Sequence, residues 1–235
     1  MDIGKAFGFV FQDEKWVTKV LLGGVMLLIP IAGVLAIAGY ILKVARNVAQ
    51  GNPLPLPEVF DDFGGNIVRG LYYLVITLVY FIPYIAIALV FGCLSGLLGA
   101  AAGDSESASA LSALFGCLLI PIYLLVAFAC LMLAYAGLAR YVATDRLSEA
   151  LKFGEVIAAV RNNPRPWLML LLVNILSSLV AGLGIIGCGI GVLFTAFIAY
   201  CIQGHALGQV VAQQGLSVGA YAPAPPPSYG PPPTY

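Results

Sequence analysis

Glu58, Asp61 and Asp62, in "LPEVFDDFGGN", put three carboxylates within five residues, with Phe60 and Phe63 flanking them. Oxygen donors at this density suit a hard cation or a basic protein partner. Without fixed geometry, a solvated interfacial loop is the plainer reading of the same letters. A second set is milder. Asn174, Ser177 and Ser178 stand at i, i+3, i+4 and so share one helical face. Such a face either hydrogen-bonds to a neighbouring helix or lines a narrow polar path for a transported solute. The segment "APAPPPSYGPPPTY" contains two P-P-x-Y matches, ending at Tyr229 and Tyr235. Aromatic-lined grooves read that pattern in polyproline-II form.

Little else in the sequence carries chemistry. There is no H-E-x-x-H and no P-loop lysine with its glycines. The single histidine, His205, argues against a multi-histidine metal site. Five cysteines lack C-x-x-C spacing and read as small packing residues, although Cys93 and Cys117 leave a disulfide open. No catalytic residue, metal or cofactor is therefore expected.

The elements that must hold these residues follow from composition. The 235 residues are 61% hydrophobic and 9% charged, with mean hydropathy +0.98. Soluble domains carry about 25% charged residues. Nothing ionised lies between Lys19 and Lys43, Arg69 and Asp104, Glu106 and Arg140, or after Arg165. A bilayer core about 30 Å thick needs roughly 20 apolar helical residues. Runs such as "LYYLVITLVYFIPYIAIALVFG" are apolar all round, which suits helices and not the alternating strands of a membrane barrel. The expectation is an all-α polytopic bundle of about three helical hairpins, with five or six membrane helices and short amphipathic interfacial helices. Its expected location is the plasma membrane. A net charge of zero gives no reason to expect nucleic acid.

Three segments are expected: an interfacial stretch over 1–16, a membrane domain over 17–213, and a disordered Pro/Tyr-rich tail over 214–235. Within the membrane domain the hairpins would be 17–50, 66–143 and 164–213, with tips at "PIAG" (30–33), "GDSES" (103–107) and "GCGIG" (187–191). A repeated phrase supports the division. "ARNVAQG" (45–51) and "ARYVATD" (139–145) each follow a tyrosine, Tyr40 or Tyr135, and a fainter third copy follows Tyr200 with Gln209 in the arginine's place. Arg46 and Arg140 read as membrane-exit anchors that meet anionic headgroups and offset the helix dipole. The pairs Ala45/Ala49 and Ala139/Ala143 read as close-packing faces. Gly92/Gly96, Gly99/Gly103, Gly187/Gly191 and Gly204/Gly208 read as tight packing or, if outward, as faces for a homo-oligomer. If 17–47 is a hairpin, all eleven Lys and Arg fall at one leaflet. The positive-inside rule makes that leaflet cytoplasmic, with both termini there. Two amphipathic faces are expected outside the membrane: Ile3, Phe7, Val10 and Phe11 in the first segment, and Leu147, Leu151, Gly154, Ile157 and Ala158 on one helix capped by Asp145.

The first seventy residues resemble a known family. "DEKW" (13–16), "GGVMLLIPIAG" (23–33), "GYILKVARNVAQG" (39–51) and "LPEVFDDFGG" (56–65) resemble, in that order, the domain of unknown function 4013 family of prokaryotic membrane proteins. The resemblance extends over about residues 5–213, with Val59 a one-residue departure in the acidic stretch. It implies a prokaryotic membrane protein and brings no activity, substrate or catalytic residue. The resulting functional expectation is a non-enzymatic scaffold that organises membrane or docks a partner through the acidic loop or the tail. The alternative is a small transporter or channel with its path at Asn174, Ser177 and Ser178.

Overall fold

Most described residues of the charge-free stretches are helical in the computed structural model, which describes residues 1–102, 106–187, 189–216 and 218. The helices are α1 (Ile3–Gly8), α2 (Trp16–Met26), α3 (Ala32–Ala49), α4 (Phe63–Ala102), α5 (Glu106–Thr144), α6 (Leu147–Ala150), α7 (Phe153–Asn162), α8 (Arg165–Leu183) and α9 (Gly191–Gln213). Among the described residues there is no strand. Lipid offers no hydrogen bonds, so an apolar stretch must satisfy its own backbone, and the helix does this within one segment. Five helices (α3, α4, α5, α8 and α9) are long and apolar enough to cross a membrane. The protein is an all-α, multi-pass membrane bundle.

The ends of the helices follow local rules. Asp2 caps α1 by accepting from the Lys5 N–H. Pro166 sits in the first turn of α8, where its missing N–H costs nothing. At 11 residues, α2 is about 16 Å long, roughly half a bilayer core. The chain then reverses through Leu27–Ile31, with Ile31 at φ 63°. Lys19 on α2 donates to the Leu56 carbonyl, beyond the end of α3. The start of α2 and the exit of α3 therefore meet at one end of the bundle.

Helix directions can be read from the closest approaches. A Cβ at Gly39 would land on the Asn66 carbonyl, and one at Gly70 on the Leu35 carbonyl, so α3 and α4 run antiparallel with backbones in contact. Gly204 faces Ile41 and Gly208 faces Ala45, so α3 and α9 run parallel. Gly23 and Gly24 of α2 lie against Phe197 and Phe194 of α9. Helices in lipid gain little from hydrophobic exclusion and associate by close packing, which small residues permit.

The α4–α5 pair is out of scale with the rest. At 40 residues, α4 is about 60 Å long, twice the depth of a bilayer core. A helix of that length cannot stand upright within it. Pro83 and Pro121 lie inside the two helices, each removing a backbone bond. Beyond them Gly92, Gly96, Gly99 and Gly116 face open space, and Leu89, Leu97, Leu118 and Leu125 are exposed. Gly204 and Gly208, by contrast, both pack against α3.

Two sequence expectations are corrected. Residues 147–162 form two helices, α6 and α7, with a break at Leu151–Lys152. Phase is lost there, so Ile157 is exposed while Ala150 and Val156 are buried. Asp145 caps nothing: it takes φ 57° and pairs with Arg46. The break is held by tertiary bonds, since Tyr80 of α4 donates to the Ala150 carbonyl at 2.7 Å. Tyr80→Phe is expected to lower stability by about 1 kcal/mol, measured as the unfolding midpoint in detergent. In the first segment α1 gives way to a 3-10 turn over Phe9–Gln12. The change of pitch turns Phe9 and Val10 inward and leaves Phe11 exposed.

Candidate functional site

Among the described residues, the ion pairs collect at the end of the bundle where α3, α5 and α9 terminate and α4 and α8 begin. The loop between α3 and α4 folds back under this end, with Leu56 and Val59 buried against Phe9, Val10 and Tyr40. Tyr40 donates to the Pro57 carbonyl at 3.0 Å. Val59, the one-residue departure noted in the acidic stretch, has its side chain in this core.

Each carboxylate of the acidic loop faces a base. Glu58 lies 3.5 Å from Lys19, Asp61 3.4 Å from Lys43, and Asp62 2.9 Å from Arg69. Asp62 also receives the Gly65 N–H, at the start of α4. Phe60 points outward, half-exposed, while Phe63 packs partly into the core. The three acids are therefore brought together as a strap binding the loop to α2, α3 and α4. They do not converge on one point. Among the described residues no three His, Cys, Asp or Glu side chains gather as they would around a metal ion.

Arg46 and Arg140 both bond to other parts of the protein. Arg46 donates from Nε to the Val142 carbonyl at 3.1 Å and pairs with Asp145 at 3.0 Å, stapling α3 to the end of α5. Arg140 donates to the Glu149 carbonyl and meets the carboxylates of Glu149 and Glu155. At the comparable place on α9, Gln209 bonds to the backbone of Asp2. Glu149 also pairs with Lys152. That bond, outweighing desolvation, holds the Glu149 carboxyl below its usual value and raises the Lys152 ammonium above its own.

The pair that sequence reading missed is Asp13–Lys19. Their side chains are 2% and 3% exposed and meet at 2.9 Å. Asp13 also accepts from the Leu56 and Lys15 N–H groups, while Lys19 donates to the Leu56 carbonyl. Desolvation pushes the Asp13 carboxyl up, but the Lys19 bond, the two N–H donors and the ammonium charge together bring it below the usual value. A signal was present: Lys19 shares a helical face with Gly23 and Met26, both buried.

The polar residues Tyr135, Asn174, Ser177, Ser178 and Gln203 are knitted together. Asn174 donates to the Tyr135 hydroxyl at 2.8 Å. Ser177 and Ser178 both donate to the Asn174 carbonyl, and Gln203 donates to Ser177 at 3.1 Å. The set thus joins α8 to both α5 and α9. Thr195 of α9 donates to the Ala181 carbonyl of α8. His205 is buried with its ring against Phe9 and its Nδ1 3.0 Å from Gln209. Cys93 and Cys117 are free thiols, so the disulfide left open by the sequence is not formed.

Some sequence features fall outside the described residues: Tyr229 and Tyr235 with residues 217 and 219–235 of the tail, residues 103–105 of the 103–107 tip, and Cys188. The letters Gly215-Leu216-Ser217-Val218-Gly219 fit G-x-S-x-G, a pattern the sequence was expected to lack. A nucleophile elbow needs a strand before the serine, and here helix α9 precedes it.

No curated protein and no solved structure matches the chain. The family described as "Protein of unknown function (DUF4013)" matches residues 22–207. That span begins after "DEKW" and takes in α3 to α8 whole, with most of α9. Covering well over half of the sequence, it shows that this multi-pass membrane protein belongs to the DUF4013 family.

Proposed function

We propose that this chain is a non-enzymatic membrane scaffold whose bundle presents a polar platform at the cytoplasmic face of the plasma membrane. The observation that carries the reading is the bonding of Asn174, Ser177, Gln203 and Tyr135 to one another across three helices. Polar groups that hold helices together are closed to a passing solute. The distribution of Lys and Arg supports the cytoplasmic assignment, since none occurs after Arg165. Docking of a protein partner would use the acidic loop, through Glu58, Asp61, Asp62 and the outward Phe60, or the Tyr229 and Tyr235 motifs of the tail.

The test is reconstitution of the full chain in liposomes. Flux of protons and potassium should not exceed that of empty vesicles. Asn174→Leu should lower the unfolding midpoint by an amount equivalent to about 0.5–2 kcal/mol and leave the flux at background. A wild-type flux that Asn174→Leu abolishes would overturn the scaffold reading in favour of transport.

A further inference from the structure

A cavity of 180 Å³ opens at the polar end between α3, the first turns of α4 and the end of α5. One water needs roughly 10–15 Å³ of such space, so the cavity admits a group many times larger. Lys43 and Arg46 from α3, Arg69 from α4 and the aromatic Tyr141 from α5 line it, with Asp145 the acid on its wall. Leu42 and Val142 supply an apolar side. Three cations therefore converge from two helices on one space, with a single carboxylate in the lining.

We infer that this cavity binds a phosphate oxyanion, carried either by an anionic phospholipid or by a soluble phosphate ester. The guanidinium groups of Arg46 and Arg69 have the planar donor geometry that phosphate accepts bidentately, and Lys43 adds a point charge. The acids that now face these bases are mostly at the rim. Asp61, Asp62 and Asp145 have side chains 69%, 41% and 55% exposed. Lys43, Arg46 and Arg69 are themselves 23%, 12% and 16% exposed, so an incoming phosphate competes for largely buried cations with carboxylates already shared with water. Position favours the same ligand. Arg46 lies in the last turn of α3, a helix long and apolar enough to cross a membrane, and the mixed lining suits an amphiphile whose charged end enters first.

The test uses the full chain in non-ionic detergent. Native mass spectrometry with added phosphatidylglycerol, phosphatidic acid or phosphatidylcholine reads lipid retention, and a thermal shift with inorganic phosphate reads the soluble source. Retention of anionic lipid over phosphatidylcholine, or a phosphate-dependent rise in midpoint, supports the site and says which source fills it. The Lys43→Gln/Arg69→Gln variant should weaken the apparent affinity about tenfold or more, and Lys152→Gln, outside the cavity, should not change it. Asp145→Asn should tighten binding, an effect that damage to the fold does not produce. Equal affinity in the wild type and the double variant, weaker binding by Asp145→Asn, or no retention of either anion would overturn the inference.

Discussion

Lys19→Met is expected to destabilise the protein by about 3–5 kcal/mol, the cost of leaving one member of a buried ion pair alone. The Asp13 carboxylate, shielded from water, would keep its two backbone donors and lose the ammonium 2.9 Å away. Asp13→Ala should cost a similar amount, because Lys19 would keep only the exposed Glu58 carboxylate as a counter-charge. Removing both partners should cost less than the sum of the single changes, and a thermal-midpoint cycle in detergent measures the coupling. The pH dependence has a fixed sign. Asp13 titrates lower in the folded chain than in the unfolded one. Its contribution is thus complete above the unfolded value of about 3.9 and fades as pH falls through the folded value. Wild type should therefore lose stability below about pH 4, and Asp13→Ala should lose less over the same window.

Gly39→Leu is expected to separate α3 from α4 and to abolish recovery of folded protein. Even Gly39→Ala should cost about 1–3 kcal/mol, because its methyl would occupy the position of the Asn66 carbonyl. A helix backbone cannot yield as a flexible side chain can. Gly70→Ala meets the Leu35 carbonyl in the same way and should behave alike. Gly96→Ala provides the contrast. Nothing lies within 4 Å of its added carbon, so the change should be neutral or stabilise by up to about 1 kcal/mol through helix propensity. Unfolding midpoints of the three variants in one detergent check the ordering.

The helices were legible in the sequence because the membrane leaves the backbone no alternative. A gap such as Lys19 to Lys43 or Arg69 to Asp104 states in letters where water is absent. The partners that hold the helices together were less legible. Asp13 meets Lys19 across a non-helical turn, and both bind Leu56, some forty residues later. Helical periodicity does not reach that far. The break at Leu151 carries no proline or glycine; bonds from Tyr80 and Arg140 hold the segments around it, and those donors belong to other helices. The acidic loop was visible as a cluster, but the bases facing it, Lys43 and Arg69, lie on elements that only the fold brings together. Gly204 and Gly96 look the same as letters; one faces α3 and the other faces open space.

The proposed platform requires the basic side chains to share one membrane face. Single cysteines at Lys5, Glu58, Lys152 and Gly187, in a chain whose five native cysteines are replaced, test it by reaction with an impermeant maleimide in intact cells. Labelling at Gly187 alone, with the other three reacting only after the cells are opened, is the predicted pattern. Labelling of Lys5 in intact cells while Lys152 stays protected would contradict it, since the chain's ends of α1 and α7 would then lie on opposite sides.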